Sequence, residues 1–226
     1  MGFFNDLLGD PKGKKAQREV DRLHKEWAED VATLAKLKEA FIAVQDGEDS
    51  EIHNMITKPG EFVIWAGVGQ YHEAGRSAGQ YVGSSQGFSI PVVAGIRYRV
   101  GAQRGTFVPG NEIQVYKDQG QIYLTTDRVV FNGLTNTAEW KFDKWVGAGA
   151  SEDGCEFMFH VTNRKKSSGL RFDKDIAEEF NRFLAFALIY VNDGIDRVMK
   201  EIAGLEERIP TEEPKLVSES KDVTKD

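Results

Sequence analysis

Between residues 12 and 45 apolar side chains recur at helical spacing. Val20, Trp27, Leu34 and Phe41 fall seven apart, and Leu23, Leu37 and Val44 form a second row three residues behind. These rows are the a and d stripes of a heptad pattern. The stretch is rich in Ala, Lys, Glu and Leu and has no Gly after Gly13, which predicts one long helix. Asp30 stands at a d position, so the seam there must open or meet a cation. At about 1.5 Å per residue the helix runs on the order of 50 Å and needs a partner surface.

A second helical pattern spans 173–207, with Asp173 or Asp175 as its cap. Ile176, Phe180, Phe183, Leu184, Phe186, Ala187 and Leu188 give its first half a broad apolar face, suited to covering a β-core. Its second half narrows to Leu188, Val191, Ile195, Val198, Ile202 and Leu205, spaced three and four apart. One helix is therefore expected to cap a β-body and then project as a coiled-coil arm. Each stripe also fits ordinary core packing, and the two stripes can pair within the chain or between chains.

The middle of the chain has a different texture. Short apolar or alternating runs at 61–68, 95–100, 112–116, 121–125, 128–131, 139–142 and 156–161 are separated by Gly, Asn and Asp turn signals. The expected fold is α+β: an antiparallel β-sandwich or barrel capped by a C-terminal helix, with helical arms at both ends. The expected divisions are 1–60 (amphipathic peptide, long helix and linker), 61–190 (β domain with capping helix), 191–206 (coiled-coil extension) and 207–226 (a disordered acidic tail broken by Pro210 and Pro214).

Composition changes this picture little. The 226 residues are 40% apolar and 29% charged, an ordinary globular balance. The longest apolar run, nine residues at 183–191, is far short of a membrane span. The start shows no secretory signal, and a lone Cys155 cannot form an internal disulfide, so a reducing cytosol is the expected setting. Charge is more informative. The net −7 belongs to the ends: residues 1–60 carry 9 basic and 12 acidic side chains, 61–172 carry 12 and 10, and 173–226 carry 8 and 14. That distribution lacks the footprint of a nucleic-acid binder.

The stretch 118–146 forms strand, tight turn, strand, turn and strand. Its Gly120, Tyr123, Thr125, Arg128, Val130, Phe131 and Gly133 resemble the meander of bacterial pleckstrin-homology-like domains of the GRAM type. In those domains a glycine, a short strand, a Thr-x-x-Arg turn and a Val/Ile-Phe strand follow one another. The helical pattern over 175–190 stands where they carry a capping helix, and the Gly-rich 83–105 is similar to the lead-in of some members. The resemblance covers about 61–190 and implies a non-enzymatic module that binds a ligand or a protein.

Eleven of the 23 Gly lie between Gly60 and Gly110. Gly67-Val-Gly69 is followed by His72 and by no helix, so neither phosphate-binding loop is formed. Gly83-Ser84-Ser85-Gln86-Gly87 matches G-x-S-x-G, but a strand start follows and His160 is the one later His. A serine hydrolase built on Ser85 therefore ranks third. His24, His53, His72, His160 and Cys155 lack metal-ligand spacing, so no metal or other cofactor is expected.

The best recognition candidates are arginines. Arg97 and Arg99 share one face of a strand, Arg76 and Arg104 flank it, and 76–104 contains no acid. Four guanidiniums beside Gly-rich turns suit a phosphate or an acidic partner loop, or a solvated face paired with the acidic arms. Phe3, Phe4, Leu7 and Leu8 share one face of a short N-terminal helix that docks on the protein itself or dips into a membrane surface. The leading expectation is a cytosolic interaction or assembly module binding a protein partner, itself included. The second is a peripheral binder of anionic lipid headgroups at the inner membrane face.

Overall fold

The structure, a computed structural model, describes residues 11–51, 54–74, 80–82, 88–91, 97–100, 106–108 and 114–210. Among the described residues it is an α+β fold with a seven-stranded antiparallel sheet and three helices. Helix α1 spans Pro11–Asp46. It opens on Pro11, where a missing N–H costs no hydrogen bond. It stops at Gly47, whose φ of 81° places it in the left-handed region, with Glu48 N bonded to Ala43 O at 2.8 Å.

Strand β1 (Val63–Ala74) pairs along its length with β6 (Gln114–Thr125). Between them two small ladders are nested: β2 (Gln80–Val82) with β5 (Thr106–Val108), and β3 (Phe88–Pro91) with β4 (Arg97–Val100). Then β7 (Arg128–Gly133) and β8 (Thr137–Lys141) continue from β6 as a meander. A second meander, β9 (Trp145–Ala150), β10 (Glu156–Val161) and β11 (Ser168–Arg171), returns to the other side of β1. The order is β8-β7-β6-β1-β11-β10-β9, and one 3-10 turn, Phe142–Lys144, joins the two edge strands.

Two expected strands, 112–116 and 121–125, are one. β6 runs through Gly120, which lies opposite Gly133, and a Cβ on Gly120 would come within 2.3 Å of Asn132 O. Glycine here permits close approach of strands and does not end one. Likewise Gly67 and Gly69 are mid-strand. The Trp65 ring lies over Gly67, where a Cβ would meet it at 2.3 Å.

The C-terminal helical stretch is two helices rather than one. Helix α2 (Lys174–Asp193) begins after Asp173 and ends at Gly194, with φ 79° and ψ −179°. Few residues besides Gly adopt that backbone. Helix α3 (Ile195–Glu206) folds back against α1 and α2 instead of extending α2. The expected coiled-coil extension over 191–206 therefore does not project. Val198, Ile202 and Leu205 join the core, Ile195 is half-buried, and Val191 is exposed.

A single buried cluster joins Leu34, Leu37 and Phe41 of α1, the inner sheet face, Leu188 with the rest of the α2 face, and α3. Phe180 of α2 is its hub, with ring centroids 4.7 Å from Phe172, 5.1 Å from Phe157 and 5.3 Å from Trp65. Phe41 reaches the same helix through Phe186, 6.2 Å away.

Candidate interaction surfaces

The heptad stripe of α1 has two environments. From Leu34 onward its apolar positions are at most 6% exposed. Before Thr33 the described residues cover them less: Val20 and Trp27 are half-buried and Leu23 is 40% exposed, with Val31 beside the stripe at 39%. The boundary is Asp30, which meets a cation. Arg182 Nη2 of α2 lies 2.8 Å from its Oδ1. Two further pairs fasten the covered half, Lys36 to Glu179 of α2 and Lys38 to Glu206 of α3. Towards the N-terminus the pairs are within the helix, as for Arg22 with Glu19 and Glu26, and such exposed pairs contribute little. Trp27 touches the rest of the chain once more: its Nε1 donates to Pro210 O at 2.8 Å.

The Thr-x-x-Arg turn is structural. Glu61 is buried, and both its oxygens accept from Arg128, Nε at 2.7 Å and Nη2 at 3.0 Å. Thr125 Oγ1 donates to Glu61 at 2.9 Å and accepts from the Arg128 N–H at 2.9 Å. Arg128 Nη1 also reaches Glu139 at 2.6 Å. Burial alone would raise the Glu61 carboxyl, but the bonds from Arg128, the Lys58 N–H and Thr125 outweigh it and hold it below its ordinary value. Sequence reading missed Glu61, which lies 67 positions from its partner. Asp118 is similarly committed, its Oδ2 accepting from the Thr135 and Asn136 N–H groups at 2.8 Å each.

At one end of the sheet the structure brings together groups that sequence reading did not connect. Ala74 N donates to Ser167 O at 3.0 Å, so the root of the acid-free segment adjoins the turn holding Arg164, Lys165 and Lys166. Lys165 and Lys166 are exposed. Arg164 is engaged, bonded to Ser168 Oγ at 2.7 Å and stacked over Trp140 at 5.3 Å. Of the predicted arginines, Arg97 and Arg99 occupy positions opposite Pro91 and Ser89 on β4. Their side chains lie outside the description, as do residues Arg76, Arg104, Phe3, Phe4, Leu7, Leu8 and Ser85.

The described histidines are dispersed, and His53 lies outside the described residues. His24 lies beside Trp27, ring centroids 5.9 Å apart, and His160 Nδ1 is 2.8 Å from Ser167 Oγ. His72 is buried, with Nε2 3.3 Å from Glu156, its ring crossing β11 over Gly169. Among the described residues no three His, Cys, Asp or Glu side chains are grouped as metal ligands. Nor is any described helix long and apolar enough to cross a membrane. Two hollows of about 190 and 280 Å³ near the α1–α2 junction share Lys36 and Glu179.

Comparison with family models, curated proteins and solved structures finds no match to this chain.

Proposed function

We propose that the protein is a non-catalytic, PH-like interaction module of the GRAM type acting in the cytosol. In this reading the N-terminal half of α1 is the element that engages a protein partner, a second copy included. The observation that carries it is the contrast along one heptad stripe, at most 6% exposed at Leu34, Leu37, Phe41 and Val44 and 40% exposed at Leu23. Most of a helix's stability in a protein comes from packing its apolar face, so an exposed apolar stripe is a surface suited to a partner. Two meanders meeting at β1, followed directly by α2, support the PH-like part of the reading.

The test is capture from the native cytoplasm, with light scattering of the purified chain alongside. Wild type is expected to retain a partner or to self-associate, and Leu23→Asp is expected to lose that while unfolding at the same urea concentration. Retention of all partners and of the same mass by Leu23→Asp would refute the assignment.

A second reading is favoured by the Ala74–Ser167 contact, which brings the end of β1, two positions before the acid-free segment begins, to the turn with Lys165 and Lys166. These cations and Arg76, Arg97, Arg99 and Arg104 would meet anionic lipid headgroups. It requires salt-sensitive sedimentation with acidic vesicles that is lost in Arg97→Glu/Arg99→Glu and in Lys165→Glu/Lys166→Glu. Binding indifferent to salt and to both variants would remove this reading.

A further inference from the structure

The chain leaves its last helix along a defined path. Glu206 of α3 bridges Lys38, Ile209 packs on the core, and Pro210 O accepts from Trp27 Nε1 at 2.8 Å. Lys38 and Trp27 stand eleven positions apart on α1, about 16 Å of helix. The departing chain turns at Glu207, with Arg208 N and Ile209 N both bonded to Leu205 O, and by Pro210 has passed from the Lys38 end of that span to Trp27, so it leads toward the N-terminus of α1. Where the described chain stops, the uncovered positions Leu23 and Val20 come next, about 6 and 10 Å further along the same face. The remaining residues, 211–226, include one apolar pair, Leu216 and Val217, six and seven positions after Pro210. Six extended residues reach about 20 Å, enough to set this pair over either position.

Charge favours the same direction. Residues 211–226 carry Glu212, Glu213, Glu219, Asp222 and Asp226 against Lys215, Lys221 and Lys225. The start of α1 carries Lys12, Lys14, Lys15 and Arg18 with no acid from 11 to 18. An acidic segment laid toward that end meets cations, whereas a second α1 laid parallel would bring like charges together. Tethering at Pro210 also supplies an effective concentration in the millimolar range, so a small apolar contact suffices.

We propose that residues 211–226 dock along the α1 stripe, seating Leu216 and Val217 on Leu23 and Val20, as a built-in competitor for the partner of that surface. The competitor role rests on the function proposed for this half of α1; the contact itself does not. The test is hydrogen exchange of α1 amides in the full-length chain and in Leu216→Asp/Val217→Asp, with a chain ending at Pro210 as a second variant that keeps every described core residue. Amides from Val20 to Trp27 are expected to exchange about tenfold faster in both variants, at every protein concentration and with unchanged mass in sedimentation. Indifference of these amides to both variants overturns the proposal. So does protection that grows with concentration as the mass doubles, because a second copy then holds the stripe. The two claims fail separately. Faster exchange in the variants without any partner that Leu23→Asp removes keeps the tail contact and ends the interaction role. Unchanged exchange with capture abolished by Leu23→Asp does the reverse.

Discussion

The two halves of α1 carry the same heptad pattern and meet different fates. Leu34, Leu37 and Phe41 are at most 5% exposed, under α2 and α3, while Leu23 is 40% exposed on the same face. Pattern alone states that a helix has a face to bury, and topology decides which part is buried. The difference arises at Asp30 and Gly194. Asp30, paired to Arg182, marks where the body ends, and the turn at Gly194 returns α3 onto the half beyond it.

The largest expected effect separates the halves most sharply. Phe41→Ala empties a fully buried position between the helices and the core, and should lower unfolding free energy in urea by about 3–5 kcal/mol. Leu23→Ala, at the equivalent face of the other half, should change it by no more than about 0.5 kcal/mol. Equal losses at the two positions would dissolve the distinction.

Gly194→Ala forces a Cβ onto a backbone at φ 79° and ψ −179° and should cost roughly 1–3 kcal/mol. Because that turn places α3, the variant should also speed amide exchange from Leu34 to Val44 more than in β6 or β7. Uniform acceleration would mean that α3 does not cover α1 independently.

Acid should act on the β-body through Glu61, leaving the difference between the halves of α1 in place. Its folded carboxyl sits below the ordinary value of 4.5, so its stabilising contribution is present above that pH and is lost as pH falls through the folded value. Glu61→Gln should therefore flatten the decline of stability below about pH 4.5. It should also lower stability at pH 7 by about 1–3 kcal/mol, since Arg128 loses one of its two counter-charges and keeps Glu139. An unaltered pH slope would contradict the assignment.

Much of this was legible. The heptad rows marked α1, the broad apolar face marked α2, and the Asp30 irregularity called for an opened seam or a cation, which Arg182 supplies. What escaped notice was non-local or masked by glycine. Trp145–Ala150 reads WVGAGA and Ser168–Arg171 reads SGLR, too poor in apolar alternation to signal β9 and β11, yet both are held by ladder bonds to β10. Gly194 stands inside a stripe that reads as one continuous helix, and its backbone ends α2. Arg128 was recognised only as part of a turn motif, because the partner that consumes it, Glu61, stands on the far side of β1 and its insertion. The same separation hid the turn with Lys165 and Lys166 from the end of β1, where Ala74 N donates to Ser167 O.

The smallest effect expected is on stability at the exposed stripe, and for that reason stability cannot test the stripe's role directly. Amide-resolved hydrogen exchange along α1, in the intact chain at low micromolar concentration and neutral pH, compares the halves within one molecule. The account predicts that amides from Leu34 to Val44 exchange only at the rate of global unfolding and those from Glu19 to Val31 at least tenfold faster, by local opening. Uniform protection along the whole helix, unchanged on dilution, would contradict it.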